Sequence, residues 1–141
     1  MSKTATETRS VIVERDFAFA PEKIWRALTQ PHLIAEWLMK NDFVPQVGHR
    51  FSLRMEPQPN WNGIIDCQVL AVDPFTTLRY TWGTMGMGSV VTFTLTPTDA
   101  GTHVRVEQAG FRADQEQNYR GAMYGWKSFM GKLENVVAGL V

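Results

Sequence analysis

The residue types most often used in acid–base, nucleophilic and metal-dependent catalysis are few in this sequence and lie far apart. It has three histidines, His32, His49 and His103, and a single cysteine, Cys67. No two of these four have the spacing of a metal-binding pair. Cys67 occupies the apolar phase of an alternating segment with no base beside it, as expected of a small buried residue. The sequence therefore predicts no metal site, no cofactor and no nucleophile–base set.

Two polar side chains could still act inside an apolar cavity. His49 is in phase with Phe51 and two further apolar residues, so it can face inward. The simpler interpretation is a histidine at a strand end that hydrogen bonds to the backbone. Tyr80 would offer a hydroxyl, whereas His103 is in phase with charged residues and is expected at the surface. The sequence leaves open whether any reaction is catalysed, and an enzyme of the cyclase or hydrolase type would use His49 or Tyr80.

A glycine-rich segment, GTMGMG at Gly83–Gly88, superficially resembles a phosphate-binding loop. Such a loop is followed by Lys-Ser or Lys-Thr and opens a helix, and neither feature is present here. The segment is therefore predicted to be a flexible hairpin connector.

Composition narrows the class of partner. The 141 residues include 14 basic and 14 acidic side chains, so no nucleic acid or anionic membrane surface is expected as a partner. No apolar run approaches the ~20 residues of a membrane span. One cysteine excludes an intramolecular disulfide and fits a cytoplasmic location. We expect residues 1–10 to form a disordered tail and residues 11–141 a single domain.

The dominant helical signal covers residues 114–141. Seven residues recur there at alternating steps of four and three, which places them on one apolar stripe: Tyr119, Met123, Trp126, Met130, Leu133, Val137 and Leu140. Asp114, with Gln117 three residues later, is predicted to cap this helix. Gly121, Gly125 and Gly131 lie inside it, and each costs roughly 1 kcal/mol relative to alanine.

Upstream, alternating apolar residues predict extended strands joined by short turns. A first strand is followed by two short helices that begin at Pro21 and Pro31, the second ending at Leu38. Short turns between the later strands require an antiparallel meander, and one dry sheet face must cover the one apolar helix. We therefore predict an α+β fold with a curved six-stranded antiparallel sheet around the C-terminal helix. Its strands are predicted at Val11–Ala20, Val47–Glu56, Ile64–Asp73, Thr76–Trp82, Val90–Thr96 and Thr102–Gln108.

Several local strings resemble one family over Val11 to Leu140. Residues 20–29 read APEKIWRALT and are followed by Pro31 and Trp37. This segment is similar to a signature of the START-like (SRPBCC) helix-grip superfamily, in the branch homologous to the activator of the heat-shock protein 90 ATPase. Further matches to that branch are Gly48, Gly63, Pro74, Leu78, Tyr80, Trp82, residues 93–97 (FTLTP), Gly125-Trp126 and Leu133. The chain departs from it in an opening strand one residue longer and in Leu38 after Trp37, where many members have a second Trp.

The resemblance implies a helix-grip sheet around an apolar cavity. Superfamily members include lipid and hormone carriers, polyketide cyclases and a co-chaperone, so it implies no single activity. The predicted cavity residues are Trp25, Trp37, His49, Phe51, Leu53, Met55, Ile65, Cys67, Tyr80, Trp82, Phe93, Met123, Trp126 and Met130, with Trp61, Met85 and Met87 at the rim.

Three functions follow from this interpretation. The first is non-catalytic binding of a small hydrophobic or aromatic molecule between the sheet and the C-terminal helix. The second is a protein-interaction role in the stress response, with a heat-shock chaperone as partner. The third is the enzyme with cavity polar residues. The sequence does not decide between a monomer and a homodimer.

The helix glycines allow two interpretations. Gly121 and Gly125 lie in the half of the helix that carries Met123 and Trp126. Missing side chains there would either leave room for a ligand or allow another backbone to approach closely.

Overall fold

The computed structural model describes residues 8–84 and 86–141. Within them, seven strands form one antiparallel sheet in the order β1-β7-β6-β5-β4-β3-β2. The strands are β1 (Thr8–Phe17), β2 (Lys40–Asn41), β3 (Arg50–Arg54), β4 (Ile64–Asp73), β5 (Thr77–Thr84), β6 (Met87–Thr98) and β7 (Gly101–Arg112).

Three helices complete the fold. Two short ones, α1 (Pro21–Thr29) and α2 (Pro31–Trp37), lie between β1 and β2 in the chain, and the long helix α3 (Glu116–Ala138) follows β7. Each short helix begins with a proline at its first position, where the missing N–H has no helical partner to lose. The sheet is open and curved, and its concave face packs against α3. The predicted α+β helix-grip fold is confirmed.

The sheet has one strand more than predicted. The added strand, β2, is two residues long and pairs with β3 at the edge, with Lys40 opposite Arg54 and Asn41 opposite Leu53. Two residues are too few to show the alternation on which strand prediction depends.

The first strand begins earlier than the predicted Val11. Thr8 pairs with Arg112, because β7 continues past its predicted end at Gln108. Residues 1–7 of the predicted tail lie outside the described residues.

The glycine-rich connector is mostly strand. Gly83 pairs with Gly88 and Thr84 with Met87, so β5 and β6 meet in a tight hairpin. Gly86 has φ 74°, a left-handed conformation that glycine adopts at little cost. The predicted rim residue Met85 and the side chain of Met87 lie outside the described part of the structure.

The predicted cap of the long helix is wrong. Gln115 is the N-cap residue, and α3 begins at Glu116. The side chains of Asp114 and Gln115 both bind Arg112 instead. Gln115 Oε1 accepts a hydrogen bond from the backbone N–H of Arg112 at 2.7 Å, and Asp114 Oδ1 accepts one from Arg112 Nε at 3.3 Å. Bonds to the preceding strand thus outcompete the expected capping box.

Two bulges bend the sheet. Gly110 is the extra residue in β7 opposite the Arg9–Ser10 step of β1, and Leu70 is the extra residue in β4 opposite β5. Gly110 has φ 115°, and a Cβ there would lie 3.3 Å from the carbonyl oxygen of Gly88. A bulge increases local twist and bends its strand, so these positions help the sheet curl around α3.

The long helix is packed firmly only from Trp126 onward. Its buried residues are Trp126, Met130, Leu133 and Val137, spaced four, three and four apart. Two ion pairs tie α3 to the edge strand β1: Arg9 binds Glu116 at the start of the helix, and Arg15 binds Glu134 near its end at 2.7 Å. Tyr119 and Met123, predicted on the same stripe, are only partly buried.

His103 lies on the sheet face opposite α3, as expected of a surface residue. Its Nδ1 is 2.7 Å from Asp16 Oδ1, and its Nε2 is 2.8 Å from Glu14 Oε1. Both ring nitrogens can donate only in the protonated ring. The hydrogen bonds to Glu14 and then to Asp16 raise the pKa of His103 above 6.5.

This cluster predicts a pH-dependent contribution to stability. Because the folded-state pKa of His103 is raised, its contribution is fully present below the unfolded pKa of about 6.5 and is lost as pH rises through the folded-state value. Because the cluster is partly exposed, we expect this contribution to the free energy of unfolding to be less than about 1 kcal/mol. Urea unfolding from pH 6 to pH 9 should show a smaller fall in stability for His103→Gln than for wild type. His32→Gln, at an exposed histidine of α2, should follow the wild-type curve; equal curves for all three proteins would contradict the prediction.

Candidate functional site

A cavity of ≈ 460 Å³ lies between the concave face of the sheet and the first half of α3. Met39 just before β2, Met55 just after β3 and Trp61 in the β3–β4 turn complete its wall. Most lining side chains are apolar, and five are aromatic. The lining residues are Met39, Met55, Trp61, Ile65, Trp82, Thr84, Gln108, Phe111, Gln117, Asn118, Gly121, Ala122, Gly125, Trp126 and Phe129.

The floor of the cavity comes from alternate residues of neighbouring strands. Ile65, Trp82 and Gln108 belong to β4, β5 and β7 and occupy the inward phase of each strand. Trp82 contacts Trp126 of α3, with ring centroids 5.3 Å apart and planes inclined at 56°. Trp126 also meets Phe129 edge-on at 5.6 Å, so aromatic rings join the sheet to the helix along one side of the cavity.

A chain of buried hydrogen bonds runs behind this floor. Trp126 Nε1 donates to Gln108 Oε1 at 2.8 Å, and Gln108 Nε2 donates to Ser89 Oγ at 2.8 Å. The Ser89 hydroxyl donates onward to the Trp82 carbonyl at 3.1 Å. Gln108 is 2 % exposed and Ser89 6 %, so leaving either unpaired would cost about 1–3 kcal/mol. The network fixes α3 to three adjacent strands at the edge of the cavity.

The rim is formed by the turn between β3 and β4. Gln58 and Trp61 exchange backbone hydrogen bonds of 2.7 and 3.1 Å, which closes the turn. The Trp61 indole donates to Thr84 Oγ1 at 2.7 Å, and Thr84 donates to the Ile64 carbonyl at 3.0 Å. Trp61 is thus held against the β5–β6 hairpin and lines the cavity.

The helix wall contains Gly121 and Gly125, both of which line the cavity. A Cβ on Gly121 would have no described atom within 4 Å outside the adjacent helix backbone. For a Cβ on Gly125, the nearest such atom would be Phe129 Cε2 at 3.8 Å, which is an ordinary contact distance. Close backbone approach therefore does not explain these glycines. Of the two sequence-based interpretations, the geometry supports open space.

The structure brings some of the predicted cavity residues together and leaves others in the packed core. Met55, Ile65, Trp82 and Trp126 line the cavity, with Trp61 at its rim. The core residues are in contact with one another: Trp37 meets Phe93, and Phe51 meets Tyr80. The predicted residues that do not line the cavity are Trp25, Trp37, His49, Phe51, Leu53, Cys67, Tyr80, Phe93, Met123 and Met130.

The candidate reactive groups lie away from the cavity. His49 Nε2 lies 3.1 Å from the backbone oxygen of Asp42, and its ring stacks on Phe51 at 6.4 Å. Burial, followed by the nearby charges of Asp66 and Asp42, raises the pKa of the Cys67 thiol to about 12. Burial also raises the pKa of the Tyr80 phenol well above its usual range. Both groups are therefore protonated near neutral pH, which does not favour either as a nucleophile or base.

Sequence reasoning missed the polar centre of the site. Gln108 lies in the inward phase of β7 with Val104 and Val106, and an amide following these two valines in the same phase was the available signal. Phe111 and Met39 lie beyond the predicted ends of their segments. The remaining lining residues that were not predicted are Thr84, Gln117, Asn118, Ala122 and Phe129, along with the two glycines interpreted separately.

The described part of the chain offers neither a metal-binding cluster nor a membrane-spanning helix. Residues 8–84 and 86–141 contain no cluster of three or more His, Cys, Asp or Glu side chains that could hold a metal ion. In the same residues, no helix combines the length and apolarity that crossing a bilayer requires.

Comparison with known proteins identifies similar chains. A family model described as "Activator of Hsp90 ATPase homolog 1-like protein" matches residues 18–138. The crystal structure of MLL2253 from Mesorhizobium loti is 56% identical, with 92% of this chain and 97% of that one covered and a TM-score of 0.87. The solution structure of BH1534 from Bacillus halodurans is 27% identical, with 92% and 96% covered and a TM-score of 0.78.

A more distant structure extends the fold comparison. CalU16 from Micromonospora echinospora is 24% identical, with 94% of this chain and 78% of that one covered and a TM-score of 0.77. This similarity concerns the fold alone. Among curated proteins, none matches the sequence.

The open space beside Gly121 predicts a stabilising substitution. Gly121→Ala should raise the free energy of unfolding by about 0.5–1 kcal/mol, because alanine is the better helix former and its methyl group meets nothing. Gly101→Ala is the matched control and should lower it, since the added Cβ would collide with the Phe17 carbonyl. The measurement is the urea midpoint of each variant. A Gly121→Ala protein less stable than wild type would contradict the open-space interpretation.

Proposed function

The chain belongs to the family of Activator of Hsp90 ATPase homolog 1-like proteins, and on that premise we propose that it binds a small hydrophobic or aromatic molecule between the sheet and α3. The observation that carries the proposal is the ≈ 460 Å³ cavity with a wall of aromatic and methionine side chains. Ligand sites are typically apolar concavities of about this size with a few placed polar groups. We further expect binding to take place in the cytoplasm, where the lone thiol of Cys67 would stay reduced.

The composition of the helix wall supports a binding role. Gly121 and Gly125 each lower helix stability by roughly 1 kcal/mol relative to alanine, with no close contact that requires them. Larger residues at these positions would fill the cavity and strengthen the helix. If the protein needed only a packed core, such substitutions would make it more stable. The space left at these glycines therefore favours a role in binding a ligand.

The surroundings favour binding without chemistry. The indole N–H groups of Trp61 and Trp126 are already donated to Thr84 and Gln108. Among the lining residues that the structure describes, none is a Lys, Arg, Asp, Glu, His, Cys or Tyr. General acid–base catalysis needs a titratable group within hydrogen-bond reach of the reacting atom. The cavity supplies shape and aromatic surface instead.

Filling the cavity should abolish binding in a folded protein. Gly125→Leu adds a branched side chain at a residue that lines the cavity, whereas Ser128→Leu adds the same side chain at an exposed position of α3. For wild type and Ser128→Leu, a ligand at 100 times its Kd should stabilise the fold by about 2.7 kcal/mol. Gly125→Leu should keep a cooperative unfolding transition and show no ligand-dependent shift.

The measurement is thermal unfolding against a library of neutral aromatic and aliphatic molecules, together with native mass spectrometry of the freshly purified protein. A library that never shifts the wild-type transition, with no co-purifying molecule, would rule out the binding function. A Gly125→Leu protein that still binds would place the ligand elsewhere.

A second candidate function is interaction with a heat-shock chaperone, favoured by the description of the family. Trp61 at the rim and Tyr124, which is 80 % exposed on α3, provide aromatic surface for such a contact. The prediction is that the protein stimulates the ATPase of a cognate Hsp90 and that Tyr124→Ala weakens this effect. Ser128→Ala, on the same helix, is the control. ATPase rates that stay flat over a full titration of wild-type protein would exclude this function.

A further inference from the structure

We infer that the molecule bound in the cavity is uncharged and carries a hydroxyl group that donates a hydrogen bond to Gln108 Oε1. This inference rests on the proposed binding function, because it names the chemical class that the same cavity would take. It follows from three features of the wall: its lack of charge, the fixed direction of the Gln108 amide and the kind of polar atom left with spare capacity.

The lack of charge excludes ionised ligands. No lining residue in the described part of the chain is a Lys, Arg, His, Asp or Glu. A carboxylate or ammonium group entering this space would lose its hydration with no opposite charge to compensate. An uncharged molecule avoids this penalty and still gains the contact with the aromatic rings.

The direction of the Gln108 amide is set by its two partners. An indole N–H can only donate, so the atom that Trp126 Nε1 meets at 2.8 Å must be the amide oxygen. The Ser89 hydroxyl donates its proton to the Trp82 carbonyl, which leaves its oxygen free to accept from Gln108 Nε2 at 2.8 Å. Rotating the amide by half a turn would set donor against donor at Trp126. The network therefore holds the oxygen, rather than the amino group, toward Trp126.

The spare hydrogen-bonding capacity of the fixed polar atoms consists of two acceptor sites and one donor. An amide oxygen has two lone pairs, and the Trp126 indole uses one of them. Thr84 is in the same condition, since its Oγ1 accepts from Trp61 and donates to the Ile64 carbonyl, which leaves one lone pair. The Gln108 amino group keeps a second N–H after its bond to Ser89, so the fixed polar atoms offer two lone pairs and one donor. A neutral hydroxyl can donate to a lone pair and also accept from this N–H, whereas an ether or ketone of the same shape can only accept.

Three probes of one shape test the inference in calorimetric titrations at neutral pH. β-Naphthol is a neutral donor, β-naphthyl methyl ether has lost the donor, and β-naphthoate is charged. With wild-type protein, β-naphthol should bind about tenfold more tightly than the ether, as expected for one buried hydrogen bond. β-Naphthoate should bind most weakly of the three. These comparisons need no variant.

Variants then assign the preference to Gln108. Gln108→Met keeps an unbranched side chain of similar length and removes the acceptor, so the ratio of the two Kd values should fall to about one. Gln46→Met is the matched control, because it makes the same exchange at an exposed residue of the loop before β3 that does not line the cavity. It should keep the wild-type ratio. Trp126→Phe removes the donor that orients the amide, so Gln108 can turn either its oxygen or its amino group toward the ligand. The ratio of the two Kd values should then fall toward one although Gln108 is still present.

The outcomes separate this inference from the proposed function. Equal affinity of wild type for the alcohol and the ether, or a preference that survives in Gln108→Met, would overturn the inference and leave the binding function intact. Tighter binding of β-naphthoate would overturn it as well. If none of the probes binds and the neutral library also gives no shift, both the inference and the binding function fail.

Discussion

The hydrogen bond from Trp126 to Gln108 is the contact on which the arrangement of this domain depends. It joins the one long helix to the sheet at the boundary between packed core and cavity. On one side of it, Met130, Leu133 and Val137 are fully buried and hold α3 by ordinary packing. On the other, no residue of α3 is buried, and the helix wall faces open space. A buried polar bond is directional in a way that apolar packing is not, so it fixes where the core stops.

The cavity can exist because the sheet and the helix are connected at both ends of the empty region. Bulges at Gly110 and Leu70 curl the sheet. Beyond the cavity, Arg9 of β1 binds Glu116 and lies over the Tyr119 ring at 3.9 Å, so the start of α3 is held by charge and a cation–π contact. These contacts are exposed and weak compared with core packing. They position the helix wall without filling the space beneath it.

The fold could be predicted from periodicity, whereas the cavity could be predicted only in part. Alternation and the four-three stripe are local signals, and they correctly placed Ile65, Trp82 and Trp126 on inward faces. Whether an inward residue meets a ligand space or another side chain depends on how far the sheet curls over the helix, which is set by non-local register. Leu53 and Phe93 share the phase of cavity residues yet are completely buried in the core. Local rules failed in the same way at Asp114 and Gln115, whose side chains bind the preceding strand instead of capping α3.

The uneven packing of α3 determines what an occupant of the cavity can do. The buried residues of its second half, Met130, Leu133 and Val137, gain nothing from a ligand, because they already lack exposed surface. The first half has Gly121 and Gly125 over the cavity and none of its residues before Trp126 is buried, so added contacts there would act on the least buried part of the helix. The same half carries the exposed Tyr124 and lies beside the Trp61 rim. The two proposed functions would therefore involve the same segment of the helix.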